Sequence, residues 1–451
     1  MWKLEDEYCK EMYTLQSKYL SDTPENGIRL TKKQKEAYVK MMEGNSIFLT
    51  GPGGVGKTKI IRMFSEEFSN RKVIGLTSMT GTSALLIGGT TLHSYTGIKL
   101  GSACAKVLVT QIMSKAYLRK RWTDLDILII DEVSMLTPVL FDKLEEIART
   151  LRRNNKPFGG IQLILTGDFC QLPCIEGEEF CFQSNTWDKC VKDVVYLTEI
   201  IRQEGEEKRK FRSILNKIRM GIVDKEVKET IESRVGKELV NEYGIKPTKL
   251  FPLKANVDQI NEEELNNLED VEFRRYNMEI TIYPEVKNKQ YALEKFRKNN
   301  VAPEELDLAI GAQVMLTFNI DIQEGLANGS RGVVTDFIDD FPKITFLNGV
   351  SRVIDYHVWE VEENGQNLMR AIQLPLRVAY AITIHRVQGS TVDYATVDLE
   401  NVFEYGQSYV ALSRVTSLDG LSVLGINYDK IRAHPEAVKY YKKLEKIEKC
   451  L

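Results

Sequence analysis

An apolar strand runs directly into a glycine-rich turn at Ile47-Phe-Leu-Thr-Gly51-Pro-Gly-Gly-Val-Gly-Lys57-Thr58, and this connection indicates the class of fold. The turn matches G-x-x-x-x-G-K-[ST] in full, and Lys57–Phe68 continues with the apolar spacing of a helix. Glycines let backbone N–H groups surround phosphate oxygens, and the N-terminus of the following helix adds a positive end. We therefore predict a triphosphate site in which Lys57 reaches the β- and γ-phosphates and Thr58 ligates Mg²⁺. The predicted nucleotide-binding residues of the turn are Gly51, Pro52, Gly53, Gly54, Val55, Gly56, Lys57 and Thr58.

Two further strand ends carry the carboxylate and amide groups that nucleotide hydrolysis needs. Leu128-Ile-Ile-Asp131-Glu132 ends an apolar strand with a carboxylate pair. We predict that Asp131 holds Mg²⁺ through water and that Glu132 orients or deprotonates the attacking water. Another strand ends in Thr166-Gly-Asp-Phe-Cys-Gln171, where Gln171 can sense the γ-phosphate or hold the water. The convergence of three strand ends on one triphosphate predicts nucleotide hydrolysis, with ATP and Mg²⁺ as cofactors.

The order of strands and helices predicts an α/β fold with a second region that begins near residue 200. Up to that point short apolar strands alternate with helical patterns, which is typical of a parallel sheet covered by helices on both faces. Beyond it, short strands cluster between Gly and Asn turns before the α/β pattern resumes at Arg377. This cluster predicts a small β barrel inserted in a larger domain. The predicted strands of the barrel are Ala312–Phe318, Arg331–Phe337, Lys343–Leu347 and Ser351–Val361.

The composition limits the class of protein. The chain has 451 residues, of which 43% are hydrophobic and 28% charged, so it is globular and is expected to form two or three domains. No apolar run reaches the length of about 18 residues that a membrane span needs, and the N-terminus lacks the pattern of a signal or transit peptide. Seven cysteines without a regular framework favour a soluble intracellular protein in a reducing compartment. The net charge of -3 means that any nucleic acid must bind in a local groove.

Seven segments, in order along roughly residues 30–425, resemble the superfamily-one 5′-to-3′ DNA helicases of the Pif/RecD type, closest to the Pif branch. Single motifs of this kind are weak to moderate indications, whereas the ordered set is highly specific. The segments, by the family role that each resembles, are Leu30–Gln34 (adenine-reading element), Thr80–Gly97 (first DNA-contacting block), Asp131–Leu136 (motif II), Gly167–Pro173 (motif III), Leu197–Gln203 (motif IV), Ala381–Thr391 (motif V) and Tyr409–Thr416 (motif VI).

The resemblance implies two RecA-like motor domains that clamp ATP between them, with a small SH3-like β insert in the second. We call these regions motor one, motor two and the insert. The Asn328-Gly-Ser-Arg-Gly332 turn of the insert is also typical of the family. The expected boundaries are 1–29 for an N-terminal extension, 30–198 for motor one with a wedge or pin element near 94–122, 199–302 and 374–433 for motor two, 303–373 for the insert, and 434–451 for a C-terminal helix.

The resemblance also assigns residues to the nucleotide. Gln34 is the expected adenine reader, and Gln388 and Gly389 of motif V are expected at the nucleotide. Hydrolysis spreads negative charge over the γ-phosphoryl oxygens, and an arginine from a second domain stabilises that charge. Arg202 and Arg414 are the candidates for this role. Because both come from motor two, hydrolysis would depend on closure of the two motors.

A strand-gripping track is the second implication of the family. A translocating motor holds a strand through backbone contacts and stacking surfaces without reading its sequence. The residues in the corresponding blocks are Thr80, His93, Asn256, Thr383, His385 and Arg386. Two positions depart from the family: Ser78-Met79 stands where Ala-Pro is usual, and Arg386 where lysine is usual. Arginine keeps the charge but presents a planar fork rather than a point charge.

Three features allow two interpretations each. Basic residues and aromatics alternate over 99–122, which suits either a nucleic-acid surface or a solvated helix face with its aromatics in the core. The lysine-rich helix His434–Lys449 is a solvated face or a phosphate-contacting tail. Four cysteines lie close together but form no C-x-x-C pair, so we favour buried free thiols over a zinc site. These cysteines are Cys170, Cys174, Cys181 and Cys190.

The leading functional hypothesis is an ATP-dependent 5′-to-3′ DNA helicase that acts, as a monomer, on single-stranded DNA and on forked or tailed duplex DNA, with no membrane partner. One alternative keeps the motor and changes the task, to an RNA helicase or a protein-stripping translocase. A different class is a P-loop ATPase switch, against which motifs V and VI argue, because a switch needs no strand-gripping block. A passive DNA-binding protein is disfavoured because the hydrolytic residues are all present.

Overall fold

The structure is a computed structural model, and it describes residues 30–99, 101–174, 179–199, 209–239, 245–286, 288–299, 302–321, 324–326, 328–363, 366–389 and 391–450. Two parallel sheets form its framework, one of six strands and one of four, with antiparallel sheets between them in sequence. The predicted α/β class with two parallel-sheet units is therefore confirmed.

The six-stranded sheet of motor one has the order β3-β2-β4-β5-β1-β6, and all its pairings are parallel. Its central strands are buried along their whole length because helices cover both faces. The register sets Thr50 beside Gly167 and Tyr196, so the strand ends lie at one edge. The strands are β1 (Ile47–Thr50), β2 (Ile74–Ser78), β3 (Thr90–Thr91), β4 (Ile127–Asp131), β5 (Gln162–Gly167) and β6 (Asp193–Tyr196).

The helices of motor one begin at residues suited to that position. Thr31 caps the first helix in a capping box with Gln34, and Thr137 caps the long helix that starts at Pro138. The helices are α1 (Lys32–Met42), α2 (Lys57–Phe68), α3 (Gly81–Ile87), α4 (Leu92–Thr96), α5 (Ala105–Met113), α6 (Ala116–Asp124), α7 (Pro138–Arg152) and α8 (Trp187–Cys190).

The rest of the chain contains the second parallel sheet and the antiparallel strands. Its helices are α9 (Arg209–Arg219), α10 (Lys225–Glu232), α11 (Lys254–Asn266), α12 (Lys289–Asn299), α13 (Gln407–Ser413) and α14 (Pro435–Cys450). Its strands are β7 (Thr248–Phe251), β8 (Arg274–Asn277), β9 (Glu279–Ile282), β10 (Glu305–Leu308), β11 (Gln313–Leu316), β12 (Arg331–Ile338), β13 (Phe341–Phe346), β14 (Ser351–Val353), β15 (His357–Glu363), β16 (Gln366–Gln373), β17 (Leu376–Val378), β18 (Ala381–Thr383), β19 (Ala395–Leu399) and β20 (Leu421–Ile426).

Motor two is built on the parallel sheet β18-β7-β19-β20. Residues of α9, α10 and α13 pack with this sheet in one buried cluster, to which Leu172 of motor one also belongs. Motif III of motor one therefore reaches into the core of motor two.

The insert consists of small antiparallel sheets. Five strands pair in the order β14-β13-β12-β11-β17, and three in the order β15-β16-β9. The single strand predicted at Ser351–Val361 is wrong, because β14 and β15 are separate and belong to different sheets. Strands β8 and β9 precede the expected boundary at residue 303 but pair with β10 and β16. We propose that the insert begins near residue 272 and ends near residue 378, after β17, which pairs with β11, and that the other boundaries stand as expected.

The C-terminal helix α14 packs on motor one. Ala437 and Tyr441 are fully buried in the main hydrophobic cluster of motor one, whereas Lys442 and Lys443 on another face are exposed. The sequence predicted a surface helix, either with a solvated face or as a phosphate-contacting tail, and it did not predict this buried face. Among the described residues, no helix is long and apolar enough to cross a membrane.

Candidate functional site

The loop between β1 and α2 forms the floor of the site. Gly51 has φ 148°, and a Cβ there would lie 2.3 Å from the carbonyl oxygen of Leu197, so only glycine fits. The ammonium of Lys57 donates to the carbonyl oxygens of Gly51 at 2.8 Å and Pro52 at 3.0 Å. Burial lowers the pKa of Lys57, while Asp168, Glu132 and Asp131 oppose that shift. The lysine thus lies across the loop, within the field of the acidic residues.

The carboxylate pair lies at the end of β4. Asp131 is 5% exposed, and burial, together with the Glu132 carboxylate, raises its pKa to about 7. Glu132 has a left-handed backbone (φ 57°), and its N–H donates to Asp131 Oδ1 at 2.9 Å. A buried carboxylate with so high a pKa is poorly compensated by the protein alone.

These residues fit Mg²⁺. This ion prefers oxygen ligands, binds through one or two protein groups and keeps several waters. The side chain of Asp131 offers a carboxylate. Thr58 is exposed and offers a hydroxyl at the loop. In the part of the chain described, no group of three or more His, Cys, Asp or Glu side chains could hold a metal ion.

Motif III follows β5. Gln171 is 5% exposed, and its Oε1 atom is buried without a hydrogen-bond partner among the residues described, as expected of a group that serves a ligand. Asp168 is fully buried and forms a bidentate ion pair with Arg219 of α9, with distances of 2.8 and 2.9 Å. Burial alone would raise the pKa of Asp168, but Arg219 lowers it below its ordinary value.

Motor two completes the site through motifs V and VI. The N–H of Gly53 donates to the hydroxyl of Tyr409 at 2.7 Å, and Gln388 donates to Glu132 Oε2 at 3.0 Å. Arg414 lies against the loop, since a Cβ on Gly53 would be 3.3 Å from its Nη2 atom. Burial lowers the pKa of Arg414, and Glu132 opposes that shift. We call Gly53, Glu132, Gln388, Tyr409 and Arg414 the closing face.

The structure gives the positions of two further predicted nucleotide residues, whose roles stay predictions. Gln34 is buried beside the loop, where its amide nitrogen donates to the carbonyl of Val55 at 2.9 Å and its Oε1 accepts from the N–H of Thr31. Gly389 is in the left-handed region (φ 85°), and a Cβ there would lie 2.9 Å from Leu86. Arg202 lies outside the described residues, so its role stays a prediction.

The structure places the predicted DNA residues on both motors. Thr80 accepts a hydrogen bond from the N–H of Ser83 at the start of α3, and His93 lies on α4. Asn256 lies on α11, Thr383 ends β18, and the exposed Arg386 follows it. His385 pairs with Glu404 at 2.9 Å. The contact between Gly389 and Leu86 brings the block of motor two against the block of motor one. Their role as DNA contacts stays a prediction.

The structure bears on two features for which the sequence allowed two interpretations, the 99–122 segment and the cysteine cluster. In the 99–122 segment, Trp122 is a core residue whose Nε1 donates to the carbonyl of Thr96. The side chains of Arg119 and Lys120 are exposed. The guanidinium carbon of Arg121 lies 5.0 Å from the centroid of the Tyr95 ring. The thiols at the predicted cysteine cluster are free, and burial raises the pKa of Cys170 and of Cys190 to about 12. Neutral thiols of this kind pack as small apolar groups.

Sequence reasoning did not assign a role to Arg219, Tyr409 or Tyr441. Tyr409 lies within the motif VI segment, and this position could have marked it as a candidate site residue. The motif alone assigned no role to its side chain. Arg219 and Tyr441 lie outside every motif, and only their tertiary contacts identify them.

Comparison with known proteins agrees with this geometry. The model of the PIF1-like helicase family matches residues 29–229, and that of the 2B domain of DNA helicase Pif1 matches 293–337. The ATP-dependent DNA helicase PIF1 of Danio rerio is 38% identical over 93% of this chain, which covers 64% of the length of that relative.

Solved structures give the same result. The Pif1 helicase of Candida albicans is 35% identical, with a TM-score of 0.78 over 92% of this chain and 100% of that one. The Bacteroides Pif1 helicase in complex with ADP-AlF3 and single-stranded DNA is 26% identical, with a TM-score of 0.65 over 93% of this chain and 98% of that one. This chain therefore belongs to the PIF1-like helicase family.

Proposed function

We propose that the chain is an ATP-dependent DNA helicase that moves 5′ to 3′ along single-stranded DNA and unwinds duplex DNA ahead of it. The observation that carries this proposal is the closing face, where residues of motor two contact the phosphate loop and Glu132 of motor one. A nucleotide site completed by two domains links each hydrolysis step to a change in their separation.

The chemistry follows from the positions of the side chains. Lys57 bonds to the loop backbone and Arg414 lies beside Gly53 of the loop. Both would place positive charge where the γ-phosphoryl group develops negative charge. Glu132 would accept a proton from the attacking water, and Gln171 would orient that water. Thr58 and Asp131 would hold Mg²⁺, which supplies charge neutralisation between the β- and γ-phosphates when bound.

Hydrolysis is coupled to the DNA track through motif V. Gln388 contacts Glu132, and the same short segment contains Thr383, His385 and Arg386. A shift of the Glu132 side chain on hydrolysis would therefore displace the segment that we propose grips the strand. Thr80 and His93 would hold the strand on motor one, and Asn256 on motor two, so that the two motors alternate their grip.

DNA is the proposed track because a Pif1 relative is described in complex with single-stranded DNA. Forked and tailed duplexes are the proposed substrates. We propose that one chain is the working unit, because both halves of the nucleotide site come from the same chain. The buried free thiols favour a reducing, intracellular setting.

Strand separation on tailed duplexes tests this proposal. Wild-type protein with ATP and Mg²⁺ should unwind a duplex that carries a 5′ single-stranded tail and leave a 3′-tailed duplex intact. Two further substrates are run in parallel. One is the same duplex made of RNA, and the other is a DNA strand that carries bound streptavidin as a protein block. Unwinding of the RNA duplex alone would favour the RNA helicase, and displacement of streptavidin without unwinding would favour the translocase. No ATP-dependent activity on any substrate would contradict the proposal.

A further inference from the structure

The last helix of the chain contributes a side chain to the edge of the nucleotide site. The hydroxyl of Tyr441 accepts a hydrogen bond from the N–H of Phe169 at 3.1 Å and lies 2.6 Å from the Oγ1 of Thr50. Thr50 Oγ1 donates its own proton to the carbonyl oxygen of Gly167 at 2.9 Å. Tyr441 must therefore be the donor to Thr50, so its hydroxyl both donates and accepts a hydrogen bond within the protein.

Each partner in this chain of bonds adjoins the hydrolytic machinery. Thr50 is the last residue of β1 and precedes the phosphate loop, and Gly167 is the last residue of β5. Phe169 follows Asp168 in motif III, two residues before Gln171. The Tyr441 hydroxyl thus joins the strand that enters the phosphate loop to the backbone of motif III.

The ring of Tyr441 makes a second contact of the same kind. The guanidinium carbon of Arg219 lies 4.1 Å from the ring centroid, and Arg219 forms the buried ion pair with Asp168. All three side chains have almost no solvent exposure. A cation over an aromatic face is stabilised most when it is desolvated, as here. We call Thr50, Asp168, Arg219 and Tyr441 the junction.

We propose that Tyr441 is a positioning residue for ATP hydrolysis, whose hydroxyl holds motif III against the phosphate-loop strand and whose ring seats the Arg219–Asp168 pair. In this role its hydroxyl and ring contact protein groups, and it acts through Gln171 and the loop. The inference rests on the proposed function, because it concerns the rate of that ATPase. It gives α14 a role that none of the family motifs assigns to it.

The substitution Tyr441→Phe tests the hydroxyl while keeping the ring. It leaves the N–H of Phe169 buried without an acceptor, so motif III should lose its fixed position. We expect kcat for DNA-stimulated ATP hydrolysis to fall about tenfold, the equivalent of one buried hydrogen bond, with KM for ATP unchanged. Tyr440→Phe is the matched control, because the Tyr440 ring stacks on Phe182 and its hydroxyl has no hydrogen bond among the described residues. It should retain wild-type kcat.

A second pair of variants keeps the inference testable if Tyr441→Phe is insoluble. Thr50→Ser retains the hydroxyl and should retain kcat, whereas Thr50→Val removes it and should lower kcat with KM unchanged. Wild-type ATPase run beside the variants separates the two proposals, since an inactive wild type contradicts the proposed function itself. With an active wild type, equal kcat for Tyr441→Phe and wild type would overturn the inference. A lowered melting temperature with unchanged kcat, or the same loss in Tyr440→Phe, would overturn it too.

Discussion

The closing face and the junction both join motor one to motor two, but they are held by different kinds of interaction. The closing face has two hydrogen bonds, Gly53 to Tyr409 and Gln388 to Glu132, and the contact of Arg414 with the loop. The junction has a buried bidentate ion pair covered by an aromatic ring. A typical hydrogen bond contributes about 0.5–1.5 kcal/mol, whereas breaking a buried ion pair costs about 3–5 kcal/mol.

This difference indicates which contacts change during a cycle. The bonds of the closing face are weak enough to be made and broken at each turnover, and they join motor two to the phosphate loop and to Glu132. The junction costs more to open than either of these hydrogen bonds. We therefore expect the contacts of the closing face to change during the cycle while those of the junction persist.

The largest expected effect comes from Lys57→Ala, which removes the phosphate-binding charge and leaves both contact regions in place. We expect hydrolysis to be abolished, because Lys57 bonds to the loop backbone and is the cation predicted to reach the β- and γ-phosphates. Binding to single-stranded DNA, measured by fluorescence anisotropy without nucleotide, should remain close to wild type. Retained ATP turnover would contradict the assignment of the loop.

Arg414→Ala removes the positive charge of the closing face. Nucleotide binding should persist, while kcat should fall by a factor on the order of 10³, as for other arginines that stabilise a transferring phosphoryl group. The matched control is Arg432→Ala, which removes an exposed arginine of motor two that packs on Tyr405. An unchanged rate in Arg414→Ala would assign the role to Arg202.

Asp168→Asn breaks the junction. It leaves the Arg219 guanidinium buried without its counter-charge, so the free energy of unfolding should drop by about 3–5 kcal/mol. Chemical denaturation measures this loss. Glu229→Gln, which breaks an exposed pair with Lys225, should change the same quantity by less than about 1 kcal/mol. Equal effects of the two substitutions would remove the distinction between a strong junction and ordinary surface pairs.

Asp131 gives a pH dependence with a defined sign, and its change over one pH unit is smaller than the loss expected for Asp168→Asn. Its pKa rises from 3.8 to about 7 in the folded, metal-free protein, so the folded state holds a proton that the unfolded state has lost. Stability from this group is fully present below about pH 4 and is lost as the pH rises to about 7, with a slope of at most about 1.4 kcal/mol per pH unit. Denaturation in EDTA should show the slope in wild type and not in Asp131→Asn. Mg²⁺ should reduce it, since the ion displaces the proton.

The sequence predicts, from local patterns, the residues that motor one would contribute to the proposed catalytic site. Lys57, Asp131 and Gln171 follow apolar strands, and parallel strands bring their ends to one edge, so local patterns predict the convergence. Arg414 was predicted only by resemblance to the helicase family, because nothing local to it indicates which loop it meets.

The junction could not be predicted in this way. Thr50 and Tyr441 are 391 positions apart, and Arg219 and Asp168 are 51 apart. Neither Arg219 nor Tyr441 lies in a motif, and a lysine-rich helix gives no sign that one of its aromatic rings is buried under another domain. The insert shows the same limit, since strand pairing joins β8 and β9 to strands that follow them at a distance in sequence.

The most direct measurement is the rate of ATP hydrolysis with and without single-stranded DNA, run beside single-stranded RNA at matched salt, because phosphate contacts are salt-sensitive. If strand binding drives closure of the two motors, DNA should stimulate the wild-type rate strongly and RNA should not. Arg414→Ala should lose the stimulated rate and keep DNA binding. Hydrolysis that is indifferent to both nucleic acids would contradict the coupling of the closing face to a DNA track.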